Sequence, residues 1–168
     1  MGREMEVAEF SEFVAASQGK MVRLAELLTG DRGRAEDLAQ HGFAKAYAAW
    51  RRIRTGEPDA YVRRCIVNAH TDWWRRRSWR EQPFAMIPEQ PSLADATAVV
   101  ADRELVMRAL SRLTPRERVV LVLRFYLDMS ELDIANKLKI APGTVKSAAS
   151  RGLAKLRCDA ELQAERIS

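Results

Sequence analysis

The stretch SELDIANKLKIAPGTVKSAASRGLAKLR, residues 130–157, determines how the C-terminal part of the chain folds. Ser130, followed three residues later by Asp133, is typical of a helix start, and Pro142 suits the first turn of a second helix. Ala135 is small at the point where the two helices must approach closely. The stretch therefore predicts a helix-turn-helix, the motif whose second helix enters a DNA major groove.

The second of these helices carries the candidate DNA-contacting side chains. The polar and basic groups that its outer face would expose are Thr144, Lys146, Ser147, Ser150 and Arg151. Short helix pairs are also common as plain packing in all-α proteins, so a purely structural pair is an open alternative. Lys139 stands in the turn where glycine is usual, and a positive φ there would cost about 1 kcal/mol.

The segment LTPRERVVLVLRFYL, residues 113–127, carries a second helix-start signature. Thr114 can act as the N-cap, Pro115 fits the first turn, and Glu117 completes a capping box. The segment therefore predicts a helix that begins at Pro115 and belongs to the same small domain as the helix-turn-helix.

A proline-rich segment divides the chain into two parts. EQPFAMIPEQPSLADATA, residues 81–98, contains three prolines and lacks sustained helical periodicity. On both sides the pattern is helical, with little β-type alternation. The sequence predicts an all-α protein with two small helical domains, residues 5–80 and 101–162, joined by an irregular linker over residues 81–100.

The N-terminal domain begins with two helical segments. Apolar spacing in residues 10–30 favours amphipathic helix with a break near Gly19 and an end at Gly30. The next segment, residues 31–50, would bury a stripe of apolar side chains: Ala35, Leu38, Ala39, Phe43, Ala46 and Tyr47. Its other face offers Glu36, Asp37, Gln40 and Lys45.

A long helix is predicted after a loop over residues 51–60, beginning at Asp59 or the residue before it. One face repeats apolar side chains at helical spacing: Val62, Cys65, Ile66, Ala69 and Trp73. Trp73 is therefore interpreted as a core residue, whereas Trp74 and Trp79 lie off this stripe among arginines. These two tryptophans either serve a function beyond packing or cover the domain edge beneath arginine stems. A separate polar face is offered by Asn68, Thr71, Asp72 and Arg75.

Charge and composition favour a polyanionic partner. The net charge is +5 and the pI is about 9.6. Cys65 and Cys158 lack metal-ligand spacing, so we predict neither a metal site nor a cofactor, and both thiols are expected to be buried or half-buried. The charged N-terminus and the absence of a long apolar run favour a cytoplasmic protein.

The residues match a known family over nearly the whole chain. The matching strings are LLTGDRGRAEDLAQ (27–40), AYAAWRRI (46–53), PDAYVRRCIVNAHTDWWRRRSWRE (58–81), LTPRERVVLVLRFYLDMSELDIA (113–135) and PGTVKSAASRGLAKLR (142–157). With these strings the chain resembles bacterial RNA polymerase sigma factors of the extracytoplasmic-function group, in particular an actinobacterial sigma-E-like subfamily. The resemblance implies a non-catalytic protein that recruits core RNA polymerase to promoters, with its linker running through the RNA exit path.

The resemblance also assigns roles to three groups of residues. The N-terminal domain would recognise and melt the −10 element, and the implied contacts are Arg51, Arg52, Asn68, Trp74, Arg75, Arg76, Arg77 and Arg80. The C-terminal domain would read the −35 element with Thr144, Lys146, Ser147, Ser150 and Arg151. Docking on the β′ clamp helices of the polymerase would use Glu36, Asp37 and Gln40.

The implied partners are core RNA polymerase, through its β′ clamp helices and its β flap, and promoter DNA. An anti-sigma factor is a further partner that the sequence leaves open. The chain departs from the family at His41 and Gly42, where a glutamate and a small or β-branched residue are usual, and a helical glycine costs about 1 kcal/mol. Ala148 and Ala149 replace basic or bulky groups, so we expect sparse base contacts and a contribution from DNA shape.

Two other functions stay open on the sequence alone. A transcription regulator with a similar helix-turn-helix would need a receiver or ligand-binding N-terminal domain, and neither pattern is visible before residue 80. A small all-α enzyme would need a nucleophile–base pair, a metal set or a phosphate loop. The segment TGDRGRAED, residues 29–37, contains glycines but lacks the phosphate-loop spacing.

Overall fold

The computed structural model describes the backbone of residues 2–78 and 98–167 and the side chains of residues 2–77 and 101–160. These residues form α-helices and no strand, so the all-α prediction is confirmed. The helices are α1 Gly2–Thr29, α2 Arg32–Ala48, α3 Trp50–Ile53, α4 Pro58–Ser78, α5 Ala98–Ser111, α6 Pro115–Leu121, α7 Glu131–Leu138 and α8 Pro142–Ile167. A π-helical segment, Val122–Tyr126, directly follows α6. Most of the predicted linker lies outside the described residues, and α5 begins inside its last three positions.

The chain divides into two compact units, and the boundary falls inside α4. The N-terminal unit ends at Trp74 and the C-terminal unit begins at Arg75. Over the described parts of both units, no helix is long and apolar enough to cross a membrane.

Helix α1 is continuous, so the predicted break near Gly19 is wrong. Gly19 is exposed, and packing on either side of it holds the helix together, with Ser17 and Met21 both buried. The predicted end is confirmed, because Gly30 has φ 69° and its N–H donates to the Glu26 carbonyl at 2.7 Å. A positive φ at the position after a helix is the usual reason for glycine there.

Helix α2 packs on α1 and α4 through small residues. The buried side of α2 consists of Ala35, Ala39, Gly42, Phe43 and Ala46. A Cβ on Gly42 would lie 3.0 Å from Ile66 Cγ1 and 3.1 Å from Val62 Cγ1, so α2 and α4 approach closely here. The helical glycine therefore has a packing reason. Tyr47, which the sequence placed in the buried stripe, is about half exposed.

The loop predicted over residues 51–60 is shorter than expected. Its first part belongs to α3. Helix α4 begins at Pro58, which is one of the two starts that the sequence predicted. Trp50 in α3 is buried against Phe10 and Phe13 of α1, with ring centroids 5.0 Å and 5.2 Å away. This aromatic contact fixes the short helix on the N-terminal unit.

The buried face of α4 differs from the predicted one. It consists of Val62, Ile66, Val67, His70, Thr71 and Trp74. The face is turned by roughly 100°, the angle of one residue in an α-helix. Trp74 is only 3% exposed, whereas Trp73 is half-buried, so the prediction that Trp73 is the core residue of this pair is wrong. Thr71 tolerates burial because its hydroxyl donates to the Asn68 carbonyl at 3.1 Å.

The C-terminal unit begins its core at the predicted capping signals. Thr114 Oγ1 accepts from the Glu117 N–H, and a Glu117 carboxylate oxygen accepts from the Thr114 N–H, so the capping box is confirmed. Ser130 caps α7 by accepting from the Asp133 N–H at 3.1 Å. Both starts follow from contacts within one turn, which sequence spacing determines.

The helix-turn-helix prediction is confirmed in α7 and α8. Its core is formed by apolar side chains of both helices and of α6, with Ile134, Ala135, Leu138 and Val145 all buried. The two free thiols lie outside this core, Cys65 half-buried and Cys158 exposed, so the expected burial of Cys158 is wrong. Burial raises the pKa of the Cys65 thiol above its usual value, which keeps it protonated at neutral pH.

Lys139 ends α7 in the left-handed conformation, with φ 56° and ψ 45°. A side chain with a Cβ is strained there, so we expect Lys139→Gly to raise the free energy of unfolding by about 1 kcal/mol. Urea unfolding followed by circular dichroism measures this as a higher midpoint with an unchanged slope.

Lys137→Gly is the matched control for this prediction. Lys137 lies two residues earlier in helical backbone, where glycine is expected to cost about 1 kcal/mol. A loss of stability in both variants would contradict the strain assigned to Lys139.

Candidate nucleic-acid interface

The outer face of α8 carries the side chains that the sequence predicted to contact DNA. Lys146, Ser147, Ser150 and Arg151 are all exposed, and Thr144 in the first turn is half-buried. On the opposite face Val145, Ala148 and Ala149 are buried. The two alanines belong to the core, so they do not limit the contacts of the outer face, and the expectation of sparse base contacts stays a prediction.

A buried carboxylate lies beneath this face. Glu117 Oε2 accepts from Lys155 Nζ at 2.8 Å, and Glu117 Oε1 lies 3.7 Å from Arg151 Nε. Burial by itself would raise the pKa of the Glu117 carboxyl. The hydrogen bonds from Lys155 and the Thr114 N–H, with the charges of Lys155 and Arg151, outweigh burial and hold the pKa below its usual range. Glu117 is therefore ionised at neutral pH.

The C-terminal turn of α4 carries the predicted arginine block. Arg76 and Arg77 are exposed, and Arg75 is half-buried. Asn68 is exposed on the same helix, and Arg75 follows it by two helical turns on one side. Trp74 is buried and cannot stack on a base in this conformation, while Arg80 lies outside the described residues.

Two grooves flank the start of α4. The first, of about 640 Å³, is lined by residues that include Lys45, Tyr47, Trp50, Arg51, Arg52 and Tyr61. The second, of about 400 Å³, is lined by Arg52, Ile53, Gly56, Glu57, Ala60, Tyr61, Arg63 and Arg64. Arg52 and Tyr61 line both grooves, and Asn68 follows Arg64 by one helical turn. Cationic and aromatic side chains thus line both grooves.

Arg51, a predicted DNA contact, is engaged within the unit. Its Nε lies 3.0 Å from Glu6 Oε1 of α1, although the Arg51 side chain is largely exposed. The neighbouring Arg54 pairs with Glu9 of the same helix at 3.0 Å. These two ion pairs connect the segment around α3 to α1.

Sequence reasoning missed a stacked contact between α2 and α4. The Arg34 guanidinium carbon lies 4.1 Å from the centroid of the Trp73 ring, and the His70 ring stacks on Trp73 at 5.8 Å. Arg34 precedes Asp37 by about one turn, so the contact joins the predicted polymerase-docking helix to the predicted DNA-binding helix. No spacing rule links residues on different helices in this way.

The predicted docking residues all lie on the exposed side of α2. Glu36, Asp37 and Gln40 are exposed, and Arg32 Nε lies 3.2 Å from Glu36 Oε1. His41 is also exposed, whereas Gly42 faces α4. Of the two positions that differ from the family, Gly42 therefore contributes to packing against α4, and His41 contributes to the exposed surface of α2.

The C-terminal unit exposes three large apolar side chains, which apolar spacing in the sequence did not predict. Phe125, Tyr126 and Leu132 are 60%, 50% and 61% exposed. Phe125 and Tyr126 end the π-helical segment, and Leu132 lies in the first turn of α7. π-helical turns occur frequently at functional sites, which makes these three side chains candidates for protein binding.

Two family models and several related proteins match most of the chain. The sigma-70 region 2 model matches residues 13–80, and the sigma-70 region 4 model matches residues 103–156. An RNA polymerase sigma-E factor of Streptomyces coelicolor is 42% identical over 153 residues, covering 90% of this chain and 86% of that protein. A sigma factor of Mycobacterium tuberculosis, the ECF protein SigM, is 30% identical over 148 residues, covering 88% and 74%.

A solved structure has a similar fold. It is a complex of the sigma factor RpoE with the anti-sigma factor NepR from Bartonella quintana, with a TM-score of 0.54 and 21% identity. The match covers 88% of this chain and 94% of that chain.

Proposed function

The chain belongs to the sigma-70 family, in its extracytoplasmic-function group, and we propose on this basis that it binds core RNA polymerase and directs initiation at specific promoters. The domain of residues 5–80 captures the −10 element, and the domain of residues 101–162 reads the −35 element. The linker of residues 81–100 joins them. The observation that carries this proposal is the outer face of α8, which exposes the polar and basic side chains while its inner face is buried.

Readout of the −35 element follows from the chemistry of that face. Lys146 and Arg151 can donate to guanine O6 and N7 in the major groove, and serine hydroxyls can contact either partner of a base pair. Thr144 and the N-terminus of α8 are placed for phosphate contact. The proposal assigns base selectivity to Lys146 and Arg151 and positioning to Thr144.

Capture of the −10 strand is proposed for the groove beside α4. Extruding a base costs on the order of a few kcal/mol, and phosphate contacts with arginines offset that cost. Asn68 can read one base edge with its amide, while Arg52 contributes charge at the groove and Arg75 and Arg76 contribute it at the end of α4. Trp74 is left out of this set because it is buried, and the neighbouring Trp73 ring already contacts Arg34 and His70.

Two surfaces are proposed to bind the polymerase. Asp37 and Gln40 on α2 would contact the β′ clamp helices, and the exposed side chains of Phe125, Tyr126 and Leu132 would contact the β flap. An anti-sigma factor, the class of protein bound to the Bartonella quintana sigma factor, is the third proposed partner. The chain acts by binding alone and performs no catalysis, in the cytoplasm where the polymerase works.

In vitro transcription with core RNA polymerase of Streptomyces coelicolor on a library of genomic fragments tests the function. We expect discrete transcripts whose templates share two sequence elements at −35 and −10, and none with core enzyme alone. A DNA footprint made without polymerase, together with no transcripts, would favour the alternative of an independent DNA-binding regulator. Turnover of a small molecule by the isolated protein would favour the enzyme alternative.

The arginine block is expected to serve promoter opening more than folding. Replacing Arg75 and Arg76 with alanine should change thermal stability only slightly, since Arg76 is exposed and Arg75 is only half-buried at the end of α4, and charges outside the core contribute little. Open-complex formation should fall, and its salt dependence should weaken by about 1.5 in the log–log slope, because two counterions fewer are released. Permanganate reactivity of unpaired thymines at several salt concentrations measures both effects.

A double variant of Lys20 and Arg23, both to alanine, is the control for charge. Both residues are exposed on α1, so the variant removes the same total charge from a different helix. Equal loss of opening in the two double variants would mean that net charge, and not the position of Arg75 and Arg76, is responsible.

A further inference from the structure

We propose that Glu117 is a positioning residue for −35 readout, because its buried carboxylate fixes the direction in which Arg151 leaves the recognition helix. The inference rests on the proposed function, in which Arg151 reads a base. It adds a buried residue of α6 that acts only through Arg151.

Burial and hydrogen bonds hold the Glu117 side chain in one position. Its side chain is only 4% exposed, and the capping box ties it to the backbone of Thr114 at 3.0 Å. Its other interactions reach into α8, with Lys155 Nζ at 2.8 Å and Arg151 Nε at 3.7 Å. One immobile carboxylate therefore holds two cations that lie one turn apart on the recognition helix.

The contact with Arg151 engages the inner part of its guanidinium. Arg151 Nε lies 3.7 Å from the carboxylate, while the side chain as a whole is 59% exposed and so stays accessible to DNA. A flexible arginine loses rotamer freedom when it binds a base, and a side chain held beforehand loses less. Glu117 thus selects, before DNA arrives, the side-chain direction that base contact requires.

Close packing brings the two helices to this distance. A Cβ on Gly152, which directly follows Arg151, would lie 2.7 Å from Leu121 Cδ1 of α6. Only glycine lets α8 lie this near to α6 without displacing Leu121. The absent side chain therefore allows a carboxylate on α6 to reach the arginine beside it.

The competing explanation is that Glu117 only starts α6. Glutamine at this position preserves a capping box, so Glu117→Gln keeps the helix start and removes the charge that holds Arg151. Glu117→Asp is a second variant, which keeps the charge but withdraws the carboxylate by one methylene. Lys155→Gln is the matched control, because it removes the other ion pair of the same carboxylate and leaves Arg151 in place.

The experiment takes a promoter found with the genomic library, randomises its −35 element and selects transcribed templates with core enzyme and each full-length variant. We expect Arg151→Ala to lower preference at one or two base pairs by about tenfold. Glu117→Gln and Glu117→Asp should lower preference by about 3- to 10-fold at the same positions. In the Arg151→Ala background, Glu117→Gln should add less than about twofold, since the two residues act as one unit.

Several outcomes would overturn the inference. An unchanged −35 preference in the folded Glu117 variants, as judged by thermal melting, would do so. So would a relaxed preference in Lys155→Gln, or a full effect of Glu117→Gln when Arg151 is already absent, because each would mean that α8 is disturbed as a whole. A wild-type protein without any −35 preference would instead overturn the proposed function on which the inference rests.

Discussion

Replacing Trp74 by alanine is expected to unfold or greatly loosen the N-terminal unit. Trp74 is 3% exposed on the inner face of α4, next to the buried Val67 and Thr71. Truncating a buried tryptophan costs about 3–5 kcal/mol, and a small domain has only about 5–15 kcal/mol of stability in total. Hydrogen exchange of the full chain measures the effect as lost protection of backbone amides in α1, α2 and α4.

Trp73→Ala is the matched control at the next position. Trp73 is half-buried and lies beneath the Arg34 guanidinium, a contact worth about 0.5–1 kcal/mol when partly exposed. We therefore expect a much smaller loss of protection than in Trp74→Ala. The reverse order of the two variants would contradict the assignment of Trp74 to the core.

The sequence could not decide between these two tryptophans. Apolar spacing in α4 continues from Val62 and Ile66 to Trp73, and this stripe predicts Trp73 in the core. The alternative stripe passes through His70 and Thr71, whose polarity argues against burial when only the sequence is considered. In the structure Thr71 satisfies its hydroxyl on its own helix and His70 stacks on Trp73, so the polar stripe can face inward.

Helix starts and ends could be predicted from the sequence, because they depend on residues that are neighbours in the chain. The capping box of Thr114 and Glu117, the cap at Ser130 and the end of α1 at Gly30 depend on contacts within about one helical turn. Even the left-handed Lys139 could be anticipated from the turn that needs it. Such features follow from residue type and spacing, and both are present in the sequence.

Contacts between helices could not be predicted from the sequence. Gly42 meets α4, Arg34 covers Trp73, and Lys155 reaches Glu117 across 38 residues of chain. The outer face of α8 was predictable because helical spacing alone separates its two sides. The partners beneath that face could not be predicted, because they come from another helix, α6. The Glu117 carboxylate under Arg151 was missed for this reason.

Reversing the charge of Asp37 is expected to abolish binding to core RNA polymerase. Asp37 is exposed on α2 next to Gln40, on the face proposed to meet the β′ clamp helices. A like-charge contact in an interface costs several kcal/mol, so Asp37→Arg should weaken binding by at least about 100-fold. Helix content should not change, because surface substitutions alter stability by only about 0.5 kcal/mol. Co-purification with core enzyme and circular dichroism measure the two quantities.

Glu12→Arg separates a specific contact from a change in net charge. Glu12 is exposed on α1, so its reversal changes the total charge by the same amount at a helical position outside the proposed docking face. Long-range attraction would weaken equally in both variants and would vanish at high salt, whereas a contact of Asp37 would fail at every salt concentration. If Asp37→Arg co-purifies with core enzyme as well as Glu12→Arg does, α2 does not present Asp37 to the polymerase. The exposed side of α2 would then have another role, and docking would have to use a different face of the N-terminal unit.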